Sequence, residues 1–129
     1  MNEKPISASI LEQFPAVDEA LIDRLLQEEI RKSPVKLVVL DDDPTGVQTV
    51  HDISVYTGWS LEDIREAFAE ENKVFYILTN SRGMTPEETA KVHRDIADRT
   101  AQVSKECGKP YLFMSRSDST LRGHYPLDP

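Results

Sequence analysis

Three short apolar segments each run straight into a cluster of functional side chains, and this repetition constrains the fold more than any other property of the chain. Residues 35–40 are aliphatic apart from Lys36 and break into Asp41-Asp42-Asp43-Pro44-Thr45-Gly46. Residues 74–79 lead into Asn80-Ser81-Arg82-Gly83, and residues 111–115 open the polar run that ends at His124. Compact apolar runs of this kind read as strands buried on both faces, the habit of parallel sheets. A weaker strand is expected at 53–57. Helical signals fall between the strands. Ser60, with Asp63 three residues on, offers an N-cap to a helix through about Glu71. Thr85-Pro86-Glu87-Glu88 supplies an N-cap, a proline at the first helical position and the acid that closes a capping box. That helix should run to about Cys107, with Gly108 as its C-terminal cap and Pro110 beyond. An amphipathic helix is expected over 16–33, with Val17, Leu21, Leu25, Leu26 and Ile30 on its apolar stripe and Pro34 as its stop. Alternating strands and helices predict an α/β fold: a three-layer Rossmann-like domain with a mostly parallel sheet, incomplete in this chain. An incomplete sheet leaves an edge through which the chain can self-associate.

The pattern has a functional consequence. Each polar cluster follows the carboxyl end of an expected strand, and open α/β sheets bind ligands along that edge. The run Ser115-Arg116-Ser117-Asp118-Ser119-Thr120-Leu121-Arg122-Gly123-His124 packs two guanidinium groups, a carboxylate, four hydroxyls and an imidazole into one loop. Arginine recognises carboxylate or phosphate bidentately, and Ser, Thr and Asp match hydroxyl groups as donors and acceptors. A small anionic, hydroxyl-rich ligand fits such a loop; a polar strand-to-helix turn is the plain alternative. Asp42 and Asp43 can accept hydrogen bonds from hydroxyls, act as a general base or hold Mg²⁺, or can simply terminate a strand. Arg82, Arg116 and Arg122 are candidate anion clamps, with neutralisation of the aspartates as the alternative. His51 and His93 have weaker claims, and His93, mid-helix, is expected to be solvated. Cys107 is expected to pack, as are Trp59 and Phe68.

Composition excludes several classes. The net charge of −8 disfavours wholesale binding to nucleic acid or anionic membranes. No apolar run approaches the roughly 20 residues that span a bilayer, and no signal-peptide core follows Met1, so a cytoplasmic protein is expected. A single cysteine rules out an intrachain disulfide. There is no GxxxxGK[ST], GxGxxG or GxSxG sequence and no zinc-spaced His/Cys set.

These residues resemble a known family. Asp42-Asp43-Pro44-Thr45-Gly46 after an apolar strand, Thr79-Asn80-Ser81-Arg82, and above all Asp118-Ser119-Thr120-Leu121-Arg122-Gly123 look like the motifs of four-carbon acid sugar kinases, in the expected order. The resemblance covers residues 35–129, the first part of that family's N-terminal, substrate-binding domain; residues 1–34 form a helical extension outside it. It implies an ATP-dependent kinase that phosphorylates threonate, erythronate or a 3-oxo-tetronate on its terminal hydroxyl, with ATP and Mg²⁺ as cofactors of the full-length enzyme. It implies that the C-terminal nucleotide-binding domain is absent and that this chain alone is inactive. The implied substrate contacts are Asp42, Asp43, Thr45, Asn80, Ser81, Arg82, Arg116, Asp118, Ser119, Thr120, Arg122, Gly123 and His124, with Asp43 as general base. Arg116 stands where many members carry lysine, so a bidentate contact would replace a point charge.

Two other readings compete. Asp41-x-Asp43-x-Thr45 after a strand, with Thr79-Asn80 later, also matches haloacid-dehalogenase-like Mg-dependent phosphatases. Asp41 would then be the nucleophile and Asp43 the acid/base, but the run from Ser115 to His124 would have no role. The other is a non-catalytic sugar-acid-binding or interaction module.

Overall fold

A computed structural model of the chain describes residues 6–117. The chain divides into two compact units, residues 1–33 and 34–129. The first holds a short 3₁₀ segment, Ala8–Gln13, and helix α1, Glu19–Lys32. α1 starts later than the apolar stripe implies because Asp18 caps it, its carboxylate accepting from the Leu21 amide at 3.0 Å.

The second unit carries β1 (Lys36–Asp41), β2 (Val55–Tyr56), α2 (Leu61–Ala69), β3 (Val74–Leu78), α3 (Pro86–Cys107) and β4 (Tyr111–Arg116). The sheet is α/β in the Rossmann-like manner: four strands in the order β2-β3-β1-β4, every pairing parallel. β2 is shorter than expected. Both capping boxes form as the sequence indicates, Ser60 with Asp63 and Thr85 with Glu88, and Gly108 takes the left-handed conformation past α3 at φ 67°. Val38 and Leu40 of β1 and Phe75 and Ile77 of β3 face Ile64, Ala67 and Phe68 of α2 and Ile96 and Val103 of α3. Trp59 packs, half-buried, at the margin of this core.

Lys36 does not interrupt β1. It is 3 % exposed, and its ammonium donates to the carbonyls of Ala67 (3.1 Å), Glu70 (2.7 Å) and Asn72 (2.5 Å), capping the carboxyl end of α2. Cys107 departs from its expected packing role: it lies exposed in the last turn of α3. No helix among the described residues is long and apolar enough to cross a membrane.

Candidate functional site

Parallel pairing brings the carboxyl ends of β3, β1 and β4 together. Asp41 pairs with Leu78 on one side and Arg116 on the other. Directly paired residues of parallel strands share a face, and successive residues alternate. Lys36, Val38 and Leu40 therefore point toward α2 and α3, while Asp41 and Arg116 lie on the opposite face. The polar edge is divided between these two faces.

Asp41 is completely buried. Its main-chain carbonyl accepts from the Thr79 amide (2.8 Å) and hydroxyl (2.9 Å), which ties the end of β3 to β1. Gly46 closes over its carboxylate so tightly that a methyl group there would overlap it. This glycine is required by close approach of backbone to side chain. Oδ2 of Asp41 accepts no hydrogen bond among the described residues, and Oδ1 has only the Asp43 amide and Arg116 Nη1, each at 3.5 Å. Burial pushes the Asp41 carboxyl above the ordinary carboxylate range, against the pull of the Asp43 amide and Arg116. A residue sealed this way is not presented for nucleophilic attack, which removes the central group of the phosphatase reading.

Beyond β3, Asn80 takes the left-handed conformation at φ 55°, which Asn tolerates better than most residues. The turn it starts, Ser81–Gly83, carries Arg82 back to β1. Nε and Nη2 of Arg82 donate to the two carboxylate oxygens of Asp42, each at 3.0 Å, and Nη1 donates to Asp43. The fork is a bidentate, charge-assisted contact with a second carboxylate added. Arg82 is thus engaged by the aspartates in this structure. Asp43 also accepts from the hydroxyl and amide of Thr45, the amide at 2.7 Å. These bonds, hydroxyl first, hold the Asp43 carboxyl below its ordinary range, with Arg82 adding to the effect.

Arg116 is held more loosely. Its side chain is 38 % exposed, and Nη1 stands 3.5 Å from Asp41 and 3.9 Å from Asp42. On the α3 side of the edge, Asp42, Thr79, Ser81, Ser115 and Ser117 line a narrow recess with His93. His93 is therefore half-buried, not solvated as expected. The signal was present: it falls on the stripe Thr89–Ile96–Thr100–Val103, whose spacings of three and four residues mark the buried face of α3. Thr45 and Asn80 are exposed, and Ser81 is buried with its hydroxyl 3.1 Å from that of Thr79. Asp118, Ser119, Thr120, Arg122, Gly123 and His124 lie outside the described residues.

Among the described residues, no three His, Cys, Asp or Glu side chains are arranged to hold a metal ion. Nor do they form a cradle for a nucleotide's phosphates, since the tight glycine turn backs onto the Asp41 carboxylate.

A parallel sheet whose carboxyl edge gathers acids, arginines and hydroxyls defines an α/β domain built to hold a small polar ligand. A family described as the sugar-binding N-terminal domain matches residues 37–129, and the chain belongs to it; the match agrees with the resemblance to the N-terminal domain of the four-carbon acid sugar kinase family. No curated protein and no solved structure matches the chain.

Proposed function

We propose that this domain binds a four-carbon sugar acid (threonate, erythronate or a 3-oxo-tetronate) along the carboxyl edge of β3, β1 and β4, as the substrate half of an ATP-dependent kinase. The observation that carries the reading is the difference between Arg82 and Arg116, the two described arginines of this edge. Arg82 is engaged by Asp42 and Asp43, whereas Arg116 keeps only long carboxylate contacts and a half-exposed side chain. Arg116 receives the ligand's carboxylate.

The other groups suit the hydroxyls. Ser115 and Ser117, with hydroxyl oxygens 3.2 Å apart, donate or accept as the sugar requires. Asp43 is ionised at neutral pH, the state that accepts a hydrogen bond from a terminal hydroxyl. Held below the ordinary carboxylate range, it is a weak base, so it orients the hydroxyl and takes its proton late in the transfer. The phosphoryl donor is bound outside the described residues.

The test is a thermal-shift and calorimetric titration of the chain with each acid and with erythritol, a neutral polyol of the same length. An acid should raise the melting temperature saturably. Arg116→Ala should weaken acid binding about tenfold or more, the value of one lost charge-assisted contact, and leave erythritol unaffected. Equal affinity for acid and polyol would refute the assignment of Arg116.

A further inference from the structure

Asp41 touches no ligand in this scheme, yet it is the most deeply buried acid of the edge. We propose that binding of a ligand carboxylate at Arg116 drives proton uptake from solvent onto the Asp41 carboxylate, so that sugar-acid binding is proton-linked. This rests on the proposal that Arg116 receives the acid.

The geometry leaves the Asp41 charge a narrow base of support. Water is shut out by Gly46, and Oδ2 accepts no hydrogen bond among the described residues. Among the described residues, three charged groups face the carboxyl. Asp42 and Asp43, from the continuation of its own strand, are like charges; Arg116, from β4, is the opposing one. β3 contributes Leu78 and Thr79, which carry no charge. Arg82 is bonded to Asp42 and Asp43 and makes no ion pair with Asp41 among the described residues.

A bidentate contact with a ligand would draw on the guanidinium that balances Asp41 and would bring another negative charge beside it. A buried carboxylate deprived of its counter-charge neutralises rather than remaining ionised. One proton moves from buffer to an Asp41 oxygen; no other bond changes. Burial already tilts this carboxyl toward its neutral form.

The experiment is calorimetry of the full chain with erythronate and threonate near neutral pH, in buffers of differing ionisation heat. The binding enthalpy should vary with the buffer in the sense of proton uptake. Asp41→Asn should still bind the acid, with the buffer dependence lost. Buffer-independent heat in the parent protein, or undiminished uptake in Asp41→Asn, would overturn the proposal. A second arm needs neither ligand nor an altered Asp41. In Arg116→Gln, the carboxyl-carbon NMR titration of Asp41 should move up by about one pH unit or more, the usual influence of an adjacent arginine. An unmoved titration would also overturn the proposal. If no acid binds, the ligand reading fails, and the Arg116→Gln titration still decides whether Arg116 controls Asp41.

Discussion

Strand β1 buries a charged side chain at each end and treats the two in opposite ways. At its amino end, Lys36 gives its protons to three main-chain carbonyls at the close of α2. At its carboxyl end, Asp41 keeps an oxygen without a hydrogen bond among the described residues and an arginine at 3.5 Å. The first charge is satisfied by groups that cannot leave, so it holds the fold. The second leans on a half-exposed arginine at long range. The difference makes one end of the sheet firmly tied scaffold and leaves the other end, where the ligand is proposed to bind, loosely balanced.

Substitutions at the two ends should separate these roles. Lys36→Met should have the largest effect, a loss of about 3 kcal/mol in denaturant unfolding, because buried carbonyls lose their donor. An unchanged midpoint would show that water reaches those carbonyls. Lys36 also has a pH signature. Burial, helped by Lys109, lowers its pKa, so the protein should gain stability as pH rises from that lowered value toward 10.5. Lys36→Met should lack this gain.

Asp41→Asn should be milder, within about 1 kcal/mol, since the amide keeps the shape and removes a desolvated charge. The sign is set by its raised pKa. The stabilising contribution of a protonated Asp41 is full below 3.8 and is lost as pH rises through the folded-state value. Melting temperatures across that window should fall in the parent relative to Asp41→Asn; curves that stay parallel would mean that Asp41 does not titrate there. The smallest effect should come from Thr45→Val. Asp43, held low by Thr45, adds stability above 3.8 that disappears as pH falls through the lowered value. Thr45→Val should be slightly less stable near neutrality and converge with the parent in acid.

Much of this architecture was legible. The strands of the central sheet announced themselves as apolar runs, but β4, expected to be buried, stands at the edge with Leu112, Phe113 and Met114 exposed because only β1 pairs with it among the described residues. Helix α3 carried both end signals, Thr85 with Glu88 and Gly108, because caps depend on local chemistry alone. Features that depend on distant chain were harder to read. Lys36 looks like a defect in a strand until the end of α2, more than thirty residues later, supplies its acceptors. Asp41 reads as one acid in a row of three, and only the pleat separates it from Asp42. Arg82 and Arg116 are equivalent in sequence; their difference arises from the turn at Asn80, which delivers one of them onto two aspartates. His93 carries its burial in its spacing, four residues after Thr89 and three before Ile96 on the inward stripe of α3, although its polar ring points to solvent by composition alone.

The charged ends of β1 have a consequence for assembly of the sheet. Its middle, Leu37-Val38-Val39-Leu40, is aliphatic on both faces, so a slip past β3 or β4 meets little resistance from packing alone. Lys36 and Asp41 act as pins at opposite ends and on opposite faces. A one-residue displacement would turn the ammonium away from the end of α2 and swing the carboxylate toward the helix-covered core. Each would be stranded at once. The same pair of side chains that divides scaffold from working edge therefore also fixes the alignment in which the strand can be built.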